Sequence, residues 1–87
     1  MASKIEIYTR DFCGFCSHAK KMLSQRNLAF EEYNIWRDSS KKDEMLARSN
    51  GSTTVPQIFV DGTHIGGCDD LIESIQSGEF QKLTDQA

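Results

Sequence analysis

The sequence predicts an α/β fold, one mixed sheet of four strands flanked by helices, in the order βαβ followed by ββα. Three observations lead there. Apolar residues three and four apart (Cys16, Ala19, Met22, Leu23) mark an amphipathic helix between two short β-prone runs. Asp61-Gly62, a dipeptide that strongly favours a two-residue hairpin, separates two further runs. The chain has 87 residues, 38% of them hydrophobic. That is one domain, 1–87, near the lower end of what a single apolar core stabilises.

Each element follows from local chemistry. Lys4 to Thr9, with Ile5, Ile7 and Tyr8, reads as a central strand. The loop Arg10-Asp11-Phe12 leads to Cys13, and the helix runs from Gly14 to about Arg26. Ser17, Lys20, Lys21 and Gln25 form its polar side, and Asn27 stands as its C-cap. Phe30 to Ile35 is a second strand. Asp38 or Ser39 caps a second helix reaching to about Ser49, with Met45 and Leu46 inward and Asn50-Gly51 ending it. A strand–helix–strand unit implies a right-handed parallel crossover. Gln57 to Val60 and Thr63 to Ile65 form the hairpin, which Gly66-Gly67 breaks. Cys68 or Asp69 begins a third helix carrying Leu71, Ile72 and Ile75, terminated at Ser77-Gly78. Phe80 and Leu83 mark a last turn of helix.

Composition excludes several classes. Ten basic against thirteen acidic residues give a formal charge of −3 with no basic run, which argues against nucleic-acid binding. No apolar run approaches the ~20 residues of a membrane span, and the first residues do not resemble a signal peptide. The expectation is a soluble, cytoplasmic protein.

The three cysteines are Cys13, Cys16 and Cys68. A secreted, disulfide-stapled chain of this size more often carries a larger, even set. Cys13-Gly14-Phe15-Cys16 lies where a strand gives way to a helix. The free N–H groups and dipole of a first helical turn stabilise an anion, so Cys13 is expected to ionise readily. Cysteines so placed titrate at ~3.5–7.5 rather than about 8.5. The two-residue spacing brings the second sulfur within bonding reach, so Cys13 can attack and Cys16, further in, can resolve. The other readings are half a zinc site or two ordinary buried cysteines. Zinc needs further ligands at regular spacing, and Cys68, His18 and His64 do not provide it.

Four blocks carry a resemblance: Ile7-Tyr8-Thr9; Cys13-Gly14-Phe15-Cys16; Thr54-Val55-Pro56-Gln57-Ile58-Phe59; and Gly66-Gly67-Cys68-Asp69-Asp70-Leu71. In order and spacing they resemble the dithiol glutaredoxins of the thioredoxin superfamily, over nearly the whole chain. The resemblance implies a thioredoxin-like fold and a redox-active disulfide at Cys13 and Cys16. The activity it implies is glutathione-dependent reduction of protein–glutathione mixed disulfides and protein disulfides by a monomer. It further implies a cis Val55–Pro56 bond, with an extended glutathione cysteinyl unit paired on Val55. The implied glutathione groove comprises Arg10, Phe15, Arg37, Thr54, Val55, Pro56, Gly67, Cys68 and Asp69. Asp69 and the N–H groups at Cys68 would take the γ-glutamyl end, and Arg10 or Arg37 the glycyl carboxylate.

Two positions depart from the family pattern. Phe15 replaces a tyrosine and keeps only the aromatic wall. Gly14 replaces a proline and frees the first turn. Glutaredoxins that share a [2Fe–2S] cluster between two subunits tend to lack that proline, so a cluster held through Cys13 and external glutathione is a rival reading. His18 and His64 read as solvent-facing, and Trp36 as a cover for either the groove or the core.

Overall fold

The computed structural model describes residues 3–84. The strands are β1 (Ile5–Thr9), β2 (Glu31–Asn34), β3 (Gln57–Val60) and β4 (Thr63–Gly66), and the helices are α1 (Gly14–Gln25), α2 (Ser39–Arg48), α3 (Cys68–Ser77) and α4 (Glu79–Thr84). They form one four-stranded sheet in the order β2-β1-β3-β4. β1 pairs parallel with β2 and antiparallel with β3, and β3 pairs antiparallel with β4. All five residues of β1 are buried, as expected of a central strand.

Strand alternation divides the interior in two. On one face Ile5, Ile7, Ile58 and Val60 meet Ala19 and Leu23 of α1, Leu71 of α3 and Phe80 of α4. On the other, Tyr8 and Phe59 pack with Ile35, just after β2, and with Met45 of α2. This second face also holds charge. Arg48 binds both carboxylate oxygens of Glu6, at 2.9 and 3.1 Å, and its Nη1 donates to the Tyr8 hydroxyl at 2.7 Å. Tyr8 donates to Glu44, and Tyr33 donates to Glu6 at 2.9 Å. The Arg48 guanidinium lies 4.3 Å from the Phe59 ring centroid.

Most predicted elements stand, with their ends adjusted. Arg26 is the C-cap of α1; Asn27 follows it in the left-handed region (φ 59°), where asparagine is tolerated. Asp38 caps α2, its carboxylate accepting the Ser40 N–H at 3.0 Å. Leu46 is only half-buried, whereas Met45 is fully buried. Asp61 (φ 49°) and Gly62 (φ 84°) both take positive φ, as a hairpin turn between twisted strands requires. Gly66 does not break β4 but ends it. The register with β3 shifts between Ile58 and Phe59, leaving Ile58 opposite Gly66 and Phe59 opposite His64. Such a bulge re-aims the chain, and Gly66 makes the bend with φ 119°.

Candidate active site

Cys13 is the N-cap residue of α1 and takes an extended conformation. Its Sγ accepts the N–H of Cys16 at 3.1 Å, and its carbonyl accepts that of Ser17 at 3.1 Å. Cys13 and Cys16 are joined in a disulfide, with Cα atoms 5.2 Å apart. Cys13 is half-buried, whereas Cys16 is 1% exposed beneath the helix. The sequence folds this way locally because the preceding loop is clamped. Arg10 Nη1 donates to the carbonyls of Asp11 (2.9 Å) and Phe12 (3.2 Å), and its guanidinium lies 5.2 Å from the Trp36 ring centroid. Phe12 sits at φ 56° with its ring 94% exposed. Phe15 and Trp36 are exposed as well.

The predicted groove residues divide between two depressions. One, of about 660 Å³, is lined by Arg10, Cys13, Cys16 and Arg37, together with Asp11, Lys20, Glu32 and Asn34. The other, of about 180 Å³, is lined by Phe15, Thr54, Val55, Pro56, Gly67, Cys68, Asp69 and Asp70. Val55 links them, its carbonyl oxygen 4.0 Å from Cys13 Sγ. The Val55–Pro56 bond is cis. Arg37 is exposed and pairs with Asp11 at 3.1 Å. Asn34 orients this loop: it donates to Asp11 at 3.0 Å and accepts the N–H of Trp36 and of Arg37. His18 is exposed, and His64 is exposed beside β3.

Asp11, Asn34 and Asp70 join the sequence-predicted set. For Asp70 a signal existed: a carboxylate three residues after the residue that precedes a helix is a capping pattern. Its Oδ2 accepts the Gly67 N–H at 3.0 Å. Asp70 also explains Gly66, since a Cβ there would lie 2.7 Å from the Asp70 carboxyl carbon, at a φ that side chains avoid. Gly66→Ala is therefore expected to destabilise by about 1–3 kcal/mol. At roughly 4–8 °C per kcal/mol, a thermal melt reads this directly; an unchanged midpoint would contradict it.

Cys68 differs in kind from Cys13. It is buried at the start of α3, and burial, with Asp69 adding, pushes its thiol up. Burial and a raised thiol set it apart from the half-buried Cys13. Among the described residues no group of three or more His, Cys, Asp or Glu side chains could hold a metal ion. A cluster taking one cysteine per chain needs no such group, so this speaks only to metal held by the protein alone. No described helix is long and apolar enough to cross a membrane.

A mixed sheet with a redox-paired Cys-x-x-Cys at the N-terminus of its first helix, beside a Val-Pro turn, is the thioredoxin-like arrangement of a thiol–disulfide oxidoreductase. Comparison with known proteins narrows this. The Glutaredoxin family profile matches residues 5–65. Glutaredoxin 3 of Escherichia coli K12 is 51% identical over 69 residues, which span 79% of this chain and 82% of that protein. The solution structure of a glutaredoxin from Brucella melitensis superposes with a TM-score of 0.80 at 35% identity, covering 95% of this chain and 89% of that one. A buckwheat glutaredoxin–glutathione complex shares the fold, with a TM-score of 0.85 at 24% identity, over 97% and 78% of the two chains. The chain belongs to the glutaredoxin family.

Proposed function

We propose that this protein reduces mixed disulfides between glutathione and proteins, and some protein disulfides, with Cys13 as nucleophile and Cys16 as resolving thiol. The observation that carries the reading is the unequal setting of the two sulfurs. Cys13 is the more accessible, at a helix N-terminus with an N–H aimed at its sulfur, and Cys16 is sealed beneath it.

In the reduced protein the helix terminus and the Cys16 N–H stabilise the Cys13 thiolate. That thiolate attacks the glutathionyl sulfur of a mixed disulfide. The old S–S bond breaks, and the substrate sulfur leaves with the electron pair and takes a proton from solvent. A second glutathione thiolate then attacks the Cys13–glutathione bond, forming glutathione disulfide and restoring the thiolate. In the dithiol route Cys16 makes that second attack, giving the disulfide seen here, which two glutathiones reduce. Dithiol pairs of this kind lie at roughly −200 to −230 mV, within reach of a glutathione pool.

The two depressions offer a place for each part of glutathione. Its cysteinyl unit pairs with the Val55 backbone beside the Cys13 sulfur, as an added strand. The γ-glutamyl carboxylate meets the free N–H groups at the start of α3, and its ammonium meets Asp69. Arg37 takes the glycyl carboxylate, since an exposed pair with Asp11 is worth little and exchanges readily. Arg10 adds charge while its main duty is the loop. The protein is expected to work as a single-domain cytoplasmic monomer.

Steady-state reduction of a glutathionylated peptide, set against a small neutral disulfide, tests the groove. Asp69→Ala and Arg37→Ala should each raise KM for the glutathionylated peptide about ten-fold and leave the neutral disulfide nearly unaffected. Equal losses on both substrates would mean the groove lies elsewhere.

A further inference from the structure

Gln57 is a buried polar side chain that the mechanism above leaves without a task. It is 3% exposed, at the first position of β3, directly after the Val55–Pro56 turn. Its Nε2 donates to the Thr54 carbonyl at 3.0 Å and approaches the Thr54 hydroxyl at 3.3 Å. Its Oε1 lies 2.6 Å from His64 Nε2. A carbonyl oxygen only accepts, so the Gln57 NH2 must face Thr54 and its oxygen must face His64. The His64 ring therefore carries its proton on Nε2. That ring is itself held, stacked on Phe59 with centroids 4.8 Å apart and planes 25° apart. Phe59 in turn lies under Arg48.

We infer that Gln57, braced by His64, is a positioning residue that holds the Thr54–Val55 backbone in the geometry glutathione requires. The inference rests on the groove proposed above. The side chain spans the turn from its far side, tying residue 57 back to the carbonyl of residue 54. Val55 lies between them, so its N–H and carbonyl stay directed at the groove. Without the brace the turn keeps its ends but loses the bond that fixes the peptide plane next to Val55. The sulfur chemistry at Cys13 does not pass through Gln57, which sets the expected signature: weaker binding with intact reactivity.

Gln57→Met keeps the approximate shape and deletes both bonds; Gln57→Glu keeps the acceptor toward His64 and loses the donor toward Thr54. His64→Phe keeps a ring to stack on Phe59 and removes the N–H. For either Gln57 variant, KM for a glutathionylated peptide should rise about five-fold, with kcat and the rate of Cys13 alkylation by iodoacetamide within two-fold of wild type. His64→Phe should shift KM the same way by about two-fold, in a variant whose fold rests on no buried change. An unchanged KM in all three, or a matched fall in kcat and alkylation, overturns the positioning role while the wild type still prefers the glutathionylated substrate. A wild type with no such preference overturns the groove, and this inference with it.

Discussion

Cys13→Ser should leave no measurable reduction of glutathionylated substrates, a loss of at least about a thousand-fold, because a serine hydroxyl is not ionised at neutral pH. Cys16→Ser should behave oppositely on the same substrates and keep most of the activity. Regeneration there needs only a second glutathione, and the Cys16 sulfur is buried at 1% exposure. The N–H that Cys16 donates to Cys13 Sγ is a backbone group, so serine preserves it. Reduction of a protein disulfide without glutathione should fail in both variants, since it requires the Cys13–Cys16 bond to close. Parallel assays of the two substrates separate the roles. Equal loss in both variants on the glutathionylated substrate would refute the assignment.

The largest expected loss of stability comes from Arg48→Met. Arg48 is about a quarter exposed, but its Glu6 partner is 8% exposed. Removing the guanidinium strands a carboxylate in the sheet interior and takes the cation from the Phe59 face, for an expected cost of about 2–4 kcal/mol. Glu6→Gln combined with Arg48→Met should recover part of it, because no lone charge remains buried. The pH dependence follows from the same bonds. The Arg48 hydrogen bond, outweighing burial, holds the Glu6 carboxyl below its ordinary value of 4.5, and the Tyr8 hydroxyl does the same for Glu44. Burial and the Glu44 bond push the Tyr8 hydroxyl up to about 12. Groups depressed in the folded state contribute stability that is complete above the unfolded value and disappears as pH falls through the folded one. Stability should thus decline below about pH 4.5, and the decline should be shallower in Arg48→Met. Denaturant titrations across that range measure it; parallel acid limbs for the two proteins would rule out the pair as the source.

How much of this was legible in the sequence depended on distance along the chain. The N-cap of α2, the Asp61-Gly62 turn and the apolar stripe of α1 are set by residues within a few positions of one another. They emerged where expected, while the C-cap of α1 fell one residue early, at Arg26. The Cys13–Cys16 pair was legible for the same reason. Glu6 and Arg48 are 42 positions apart, and no local pattern announces their bond. A charge alternating with Ile5 and Ile7 reads as a solvent-facing strand position until α2 is known to cover that face. Arg10 is a candidate ligand for the glycyl carboxylate through the family resemblance, and it lines the depression beside Cys13. Its bonds to the Asp11 and Phe12 carbonyls depend on a loop conformation that sequence does not reveal. Gly66 read as a terminator and does end β4, but only the register shift against β3, which leaves Ile65 without a partner before it, shows that the strand also bulges there.

The order β2-β1-β3-β4 leaves β2 as an outer strand, with one row of backbone donors and acceptors unpaired. Such a rim is a template for fibrils, because a second copy can dock there strand to strand. Glu31 and Glu32 stand exposed on that rim. Two copies meeting edge to edge would bring four carboxylates together, each copy's Glu32 already paired with Lys20 at 3.0 Å, and this charge disfavours the approach at neutral pH. This guard consists of charge alone. Glu32 keeps its charge into mild acid, because against burial the Thr9 and Lys20 bonds together hold its carboxyl below the ordinary value of 4.5, so the guard is lost only when a concentrated stock is brought to low pH.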